Sequence, residues 1–211
     1  MSTQRYYQCN AQQFFESTVA VDMAEIRDSF TALLPAHGSV LDDGCGSGRY
    51  AKAFIEQGFQ VEAFDASPEL AELAELAELA ELAELAELAS QHSGLPVQVM
   101  RFQELDVSAR YDGIWCCASM LHVPRAELPA VFRRLAQALK ADGVLYASFR
   151  YGQGEREDNG RVFTDMREGE IAGMLRRIGG DELEVMKEWL SEDRLKERSN
   201  RWVKVFVGKI G

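Results

Sequence analysis

Long apolar runs are missing from this chain of 211 residues. No segment approaches the roughly 20 consecutive apolar residues that a membrane-spanning helix needs. The first residues, Met1 to Tyr6, also lack the apolar core of a secretory signal peptide. We therefore predict a cytoplasmic protein without a membrane partner, and a single domain over residues 1–211, because this length suits one domain with its own core.

Basic residues are few relative to acidic ones. The chain has 23 Lys and Arg against 34 Asp and Glu, which gives a formal net charge of -11. Proteins that bind nucleic acid neutralise its phosphates with clustered Lys and Arg. The charge balance therefore argues against nucleic acid as the main partner, and a small-molecule substrate is the default expectation.

Cysteine is rare as well, and its spacing carries no metal or redox signature. The four cysteines are Cys9, Cys45, Cys116 and Cys117, and no two of them stand in CxxC spacing. The adjacent Cys116 and Cys117 fall in a predicted buried strand, where thiols usually act as small hydrophobic groups. We therefore predict no metal site.

The chain does contain a glycine-rich turn between two apolar segments. An apolar run ends at Asp42 and opens into Gly44, Gly46 and Gly48, and Asp65 follows 17 residues after Gly48. Glycine permits positive φ and a close approach of the backbone to a ligand. An acid at the end of the second strand of a doubly wound sheet can accept the hydroxyls of a ribose. The pattern indicates a nucleoside-cofactor site.

The spacing of the glycines limits which class of cofactor the site could bind. Dinucleotide folds space their glycines by two and then three residues, whereas here both intervals are two. This spacing disfavours a nicotinamide dehydrogenase, as does the lack of a second domain. A tight strand-to-helix connection without any ligand is the alternative interpretation of the same turn.

Several motifs resemble those of the class I S-adenosylmethionine (SAM) methyltransferases. Residues 40–49 resemble their first motif, and residues 58–68 resemble the stretch that follows it. Three further matches lie at residues 111–115, 121–124 and 139–145, in the order that the family has them. The resemblance covers residues 40–149, and the small stand-alone type that includes tellurite-resistance methyltransferases is the most similar subgroup.

The resemblance and the alternation of helices and strands predict the same architecture. We expect an α/β fold with a doubly wound, seven-stranded, mostly parallel sheet. A helix is predicted over residues 22–34 and another over 125–140. The strands are predicted at 40–42, 61–65, 97–102, 113–118, 144–149, 183–190 and 202–207, with one of the last two antiparallel.

The resemblance also implies which residues would hold SAM and its product S-adenosylhomocysteine (SAH). Asp42 and the glycine turn would hold the methionine end, and Asp65 would bind the ribose. The adenine would lie beside Ala66, Glu104 and Leu105, and the loop after strand four would flank the methionine moiety. The implied cofactor-binding residues are Asp42, Gly44, Cys45, Gly46, Gly48, Asp65, Ala66, Glu104, Leu105, Cys117 and Ala118.

One residue departs from the family pattern. Position 43 is usually small or apolar in the family, and here it is Asp43, next to Asp42. A second carboxylate that faces the cofactor would put its affinity in doubt. One that points away needs water or a hydrogen-bond donor, because an unpaired buried charge is costly.

Candidate residues for the acceptor substrate lie on three segments. His122 follows strand four and could remove a proton from an acceptor, or it could be an ordinary loop residue. Residues 1–20, with Tyr7, resemble the N-terminal lid that many of these enzymes fold over the cofactor, or their aromatic residues could serve for apolar anchoring alone. Arg150, Tyr151 and Arg161 would line the mouth of the pocket and could receive an anionic substrate, although this glycine-rich segment also fits a mobile loop.

A low-complexity repeat follows the second strand. Ala, Glu and Leu alternate over residues 69–88 after Ser67 and Pro68, which are good helix-starting residues. The pattern predicts an elongated helix over 68–90, of about 34 Å. Since a crossover helix needs fewer residues, we expect a homodimer that is swapped or paired through this helix. A helix that breaks early is the alternative.

These observations favour a SAM-dependent methyltransferase that acts on a small molecule. Methyl transfer to an aligned acceptor depends mainly on positioning, so few charged catalytic residues are required. A second hypothesis is a SAM-binding or assembly protein that has lost catalysis and works through the repeat helix. Asp43 and the lack of an obvious base favour that second hypothesis.

Overall fold

The computed structural model describes residues 10, 13–65, 88–158, 160–178, 182–193 and 200–211. Within them, seven strands form one sheet in the order β3-β2-β1-β4-β5-β9-β8. Its strands are β1 (Ser39–Asp43), β2 (Gln60–Asp65), β3 (Val97–Val99), β4 (Tyr111–Cys116), β5 (Leu139–Arg150), β8 (Leu183–Glu192) and β9 (Arg201–Lys209).

The sheet is parallel from β3 to β5, and β9 is antiparallel to both β5 and β8. The predicted seven-stranded sheet with an antiparallel strand in the tail is therefore confirmed. The order of the strands reverses between β1 and β4, which lie side by side in the centre of the sheet. In open α/β sheets ligands bind at such a switch point, beyond the carboxyl ends of the strands.

Helices cover both faces of the sheet. The helices α1 (Ala24–Thr31) and α2 (Arg49–Glu56) contribute Phe30, Tyr50 and Phe54 to an apolar cluster on one face. The helices α3 (Leu128–Ala138) and α4 (Glu170–Arg177) contribute to the cluster on the other face. This arrangement is the doubly wound architecture that the sequence predicts.

An aromatic stack fills the centre of the first cluster. Trp115 of β4 lies on Tyr146 of β5 with 4.1 Å between the ring centroids, and Phe30 and Tyr50 each lie 5.1 Å from Trp115. All four side chains are buried. Their packing fixes α1 and α2 against the strands that carry the switch point.

A small β-hairpin lies outside the main sheet and was not among the predicted elements. The strands β6 (Gly154–Asp158) and β7 (Arg161–Asp165) pair antiparallel, in the segment that was predicted to line the pocket mouth. The hairpin is fixed to the loop after β4, because the Thr164 hydroxyl donates to the carbonyl of Val123 at 2.7 Å. The mobile-loop interpretation of this segment does not describe residues 154–158 and 161–165, which form paired strands.

Two predicted features fall mainly outside the described residues. The repeat helix over 68–90 is described only in its last turn, where residues 88–93 are helical. Nothing described bears on the swapped homodimer, which stays a prediction. Of the predicted lid, residues 13–18 are helical, and Tyr7 lies outside the described part of the chain. No helix among the described residues is long and apolar enough to cross a membrane.

Candidate active site

The glycine turn lies at the carboxyl end of β1, where the strand order reverses. Gly44, Gly46 and Gly48 all have positive φ, of 73°, 55° and 71°. The backbone N–H groups of Gly44 and Cys45 donate to the carbonyl of Phe64, at 2.9 and 3.1 Å. The turn is thus fixed to the end of β2, and α2 begins directly after it.

The three glycines are required for different reasons. A Cβ on Gly44 would lie 2.3 Å from the Cβ of Ser119, and one on Gly48 would lie 2.7 Å from the carbonyl oxygen of Ala89. Close protein neighbours therefore account for these two positions. A Cβ on Gly46 would lie 3.2 Å from the ring of Phe14, which is its nearest neighbour. Gly46 therefore faces residues 13–18, whereas Gly44 and Gly48 face Ser119 and Ala89.

The acid at the end of β2 contacts the same glycine. The Gly46 N–H donates to Oδ2 of Asp65 at 2.6 Å. Burial raises the pKa of Asp65 to about 6, although the Gly46 hydrogen bond acts in the opposite direction. Among the described residues, none donates a hydrogen bond to Oδ1 of Asp65. The carboxylate is thus held by one oxygen, and its second oxygen can accept from a ligand.

Asp42 supports the turn from inside. Its side chain is buried, and Oδ2 accepts the backbone N–H of Ala51 in the first turn of α2 at 3.0 Å. Burial raises the pKa of Asp42 to about 7. The carboxyl therefore ties β1 to α2 and holds the turn between them.

Asp43 is completely buried, and neither of its carboxyl oxygens has a hydrogen-bond partner among the described residues. Its side chain follows Leu41 on the face of β1 that packs against the larger apolar cluster. Burial raises the pKa of Asp43 well above 3.8, and the nearby Asp42 and Asp65 raise it further. Such a group stays protonated in preference to carrying an unpaired charge.

Residues 13–18, which belong to the predicted lid, lie against the glycine turn. Arg49, the first residue of α2, donates from Nη1 to the carbonyl of Thr18 and from Nη2 to the hydroxyl of Tyr50, the latter at 2.7 Å. Together with the ring of Phe14 near Gly46, this contact places residues 13–18 directly above the turn. The segment thus contacts both the turn and the start of α2, and its role as a lid stays a prediction.

The loop after β4 packs against the turn and α2. The Ala118 N–H donates to the hydroxyl of Ser148 at 2.8 Å, and Ala118 itself has a φ of 56°. The Ser119 hydroxyl donates to the carbonyl of Asp43 at 2.7 Å. The sulfur of Cys117 lies 3.2 Å from the hydroxyl of Tyr50. The predicted loop residues are therefore in contact with the turn and with α2.

The residues predicted to lie beside the adenine follow β2 in the chain. Ala66 is outside the described residues. Glu104 is exposed on a short 3-10 turn, and its Oε2 accepts the backbone N–H of Arg101 at 2.7 Å. Leu105 is buried in the larger apolar cluster. Contact of either residue with an adenine stays a prediction.

His122 lies between the loop after β4 and the hairpin. Its Nδ1 is 2.9 Å from the carbonyl oxygen of Val162, and its ring lies 4.8 Å from the ring of Phe163. Since a carbonyl only accepts, Nδ1 carries the proton and Nε2 carries the lone pair. Burial lowers the pKa of His122 to about 4, so the imidazole is neutral at physiological pH.

Two of the three substrate residues predicted in residues 150–161 are brought together around one ring. Arg150 and Arg161 lie over Phe163, with 4.2 and 5.0 Å from their Cζ atoms to the ring centroid. Tyr151 points elsewhere and contacts Arg201, at 4.4 Å. The structure adds Arg156 to the group, at 4.7 Å from the Phe163 centroid. The sequence signal that could have indicated a hairpin here is the dipeptide Asn159-Gly160, because Asn-Gly is typical of two-residue hairpin loops.

This geometry agrees with the comparisons with known proteins. The family model described as "Methyltransferase domain" matches residues 15–184, which is more than half of the chain. The chain belongs to this methyltransferase family. The predicted membership is thereby confirmed, and the tellurite-resistance subtype stays a prediction.

A curated relative supports the assignment over a shorter stretch. The ubiquinone biosynthesis O-methyltransferase of Xanthomonas axonopodis pv. citri is 32% identical over 120 residues, which are 55% of this chain and 44% of the relative. The chain thus matches less than half the length of that methyltransferase.

Solved structures share the fold. The 1,6-didemethyltoxoflavin-N1-methyltransferase of Burkholderia thailandensis, solved with SAH bound, matches with a TM-score of 0.67 at 22% identity. The match covers 100% of this chain and 92% of that methyltransferase. A TehB-like SAM-dependent methyltransferase from Corynebacterium glutamicum has a TM-score of 0.67 at 19% identity, covering 97% and 99%. At these identities the likeness concerns the methyltransferase fold alone.

Proposed function

We propose that the chain is a SAM-dependent methyltransferase that acts on a small-molecule acceptor. The observation that carries the proposal is the position of Asp65, which is held by Gly46 at the end of β2 with one oxygen left to accept from a ligand. A ribose diol at that oxygen fits the family and the fold. The acids Asp42 and Asp65 beside the turn suit a cofactor that carries a sulfonium and an ammonium group.

When bound, SAM supplies a methyl group, which an acceptor nucleophile takes as SAH is formed and the acceptor loses a proton. The protein aligns the acceptor and excludes water, which is catalysis by positioning. In this proposal Gly46 and Asp65 bind the cofactor, Asp42 holds the turn, and residues 13–18 cover the site. His122 is the candidate base, because Nε2 carries its lone pair.

The direct test is methyl transfer. Purified protein is incubated with methyl-labelled SAM and a panel of small phenols, amines, thiols and carboxylates, and both labelled product and SAH are measured by mass spectrometry. Labelled product from any acceptor in the panel supports the enzyme. If SAH binds but no acceptor is labelled, the alternative of a SAM-binding protein without catalysis gains support.

A His122→Ala substitution tests the candidate base. We expect kcat to fall about 100-fold, the usual contribution of a general base, with the affinity for SAH unchanged within about twofold. The pKa of His122 is about 4, so the imidazole becomes protonated only when the pH falls towards that value. Protonation of His122 should therefore not lower wild-type kcat at saturating SAM above that pH.

The matched control is Thr164→Val, which removes the neighbouring hydrogen bond that fixes the hairpin and leaves the imidazole in place. We expect kcat to fall by no more than about threefold in this variant. An equal loss in the two variants would show that His122 acts by docking the hairpin and not as a base.

A further inference from the structure

Three arginines surround one buried aromatic ring at the substrate side of the site. The Cζ atoms of Arg150, Arg156 and Arg161 lie 4.2, 4.7 and 5.0 Å from the centroid of the Phe163 ring. Phe163 is 2% exposed. A cation over an aromatic face is favourable, but three guanidinium groups on one ring also repel one another.

The carboxylates of this cluster are directed mainly to Arg156. Oδ2 of Asp165 accepts from Nε of Arg156 at 2.7 Å, and Oδ2 of Asp158 lies 3.6 Å from Nη1 of the same arginine. Of these two carboxylates Arg150 pairs only with Asp158, with 3.4 Å from its Nη1 to Oδ2, whereas Arg156 pairs with both. Arg150 is therefore the weakly neutralised member of the Arg150–Arg156 pair.

Arg150 also has an unused donor. The residue is 9% exposed, and its buried Nε has no hydrogen-bond partner among the described residues. Burial and the neighbouring Arg156 and Arg161 lower the pKa of Arg150. A buried donor of a charged group without an acceptor is costly, and an anionic ligand at this position would remove the cost.

The position of Arg150 relates the cluster to the cofactor turn. Arg150 ends β5 two residues after Ser148, whose hydroxyl accepts the N–H of Ala118. Ser119, the next residue, contacts Gly44 and Asp43. His122, three residues after Ser119, contacts the hairpin that carries Arg156 and Arg161, because its Nδ1 lies 2.9 Å from the carbonyl oxygen of Val162. A small molecule bound at Arg150 would thus lie on the same edge of the sheet as the methyl donor.

We infer that Arg150 binds an anionic group of the methyl acceptor, and that the acceptor belongs to the small planar carboxylates. This inference rests on the proposed methyltransferase function. A planar carboxylate is favoured because a guanidinium presents Nε–H and an Nη–H as a flat fork that matches two carboxylate oxygens. The arginine-rich hairpin then selects acceptors by charge, and the glycine turn holds the cofactor.

The test is calorimetric titration of benzoate and of its neutral isostere benzamide into protein saturated with SAH. We expect benzoate to bind the wild-type protein at least about tenfold more tightly than benzamide. Arg150→Gln should weaken benzoate binding about tenfold or more, with SAH affinity within about twofold of wild type. Arg177→Gln, an exposed charge change in the last turn of α4, should alter neither affinity.

Arg150→Lys is the second variant if Arg150→Gln does not fold, since it keeps the charge and loses the flat fork; it too should weaken benzoate binding. Equal affinities for benzoate and benzamide, no benzoate binding, or benzoate binding unaffected by either Arg150 substitution would each overturn the inference. Failure of the wild-type protein to bind SAH would instead contradict the proposed function.

Discussion

Substituting Asp65 by Ala is expected to weaken SAM and SAH binding by at least about 30-fold. A hydrogen bond to a charged group contributes about 1.5–3 kcal/mol, and about 2 kcal/mol corresponds to a factor near 30. The substitution also removes the acceptor that holds the Gly46 N–H at 2.6 Å. Isothermal titration calorimetry with SAH measures the effect, and circular dichroism confirms that the variant is folded.

Two further observations make this prediction specific to Asp65. Its pKa of about 6 predicts that wild-type affinity for SAH falls as the pH is lowered through that value, because the neutral acid is a weaker acceptor. In Asp65→Asn this contribution to the pH dependence should disappear. Asp28→Asn, at an exposed aspartate of α1, should bind SAH like the wild type. Unchanged affinity in Asp65→Ala would remove the cofactor assignment.

The second large effect is a gain in stability when Asp43 is replaced by Leu. Asp43 is fully buried, and neither carboxyl oxygen has a partner among the described residues. A buried polar group without a hydrogen bond costs about 1–3 kcal/mol. We expect Asp43→Leu, which restores the apolar type usual in the family, to raise the free energy of unfolding by about 2 kcal/mol at pH 7.

The gain should increase with pH. The pKa of Asp43 is raised above its ordinary value of 3.8 in the folded protein, so above about pH 4 the folded state keeps a proton that the unfolded state releases. The wild type therefore loses stability as the pH rises above about 4, until the folded pKa is passed. Asp43→Asn keeps the side-chain volume but cannot titrate, so its stability should lack this decrease with rising pH.

Urea denaturation at pH 5 and pH 8 measures both expectations. Asp106→Leu is the control, because Asp106 is exposed and its replacement should leave the free energy of unfolding within about 0.5 kcal/mol of wild type. An Asp43→Leu variant that is less stable than the wild type, or one whose gain is the same at both pH values, would contradict this account of Asp43.

The sequence predicted the parallel part of the sheet well. Strand two was predicted to end at Asp65, as β2 does, and the glycine turn and the antiparallel tail strand were placed correctly. These elements have strong local signals, such as apolar runs bounded by glycine. Strand three is shorter than predicted, because the chain turns into a 3-10 segment at Phe102.

The hairpin and its arginine cluster were harder to predict. The segment Glu155–Asp158 is entirely charged, so it lacks the apolar alternation that marks a half-buried strand. Its pairing with β7 depends on contacts across the hairpin, such as Arg156 with Asp165. The dipeptide Asn159-Gly160 is the one local sequence signal for a hairpin in this segment. The role of Gly44 and Gly48 was also hidden, because the neighbours Ser119 and Ala89 are distant in sequence.

The most direct test of the account is a crystal structure of the protein with SAH. We expect SAH at the carboxyl ends of β1 and β2, with its ribose hydroxyls within hydrogen-bond distance of Asp65 and its amino-acid end beside the glycine turn. SAH found at another position, or a turn that holds no SAH at saturating concentration, would contradict the assignment of this turn as the cofactor site.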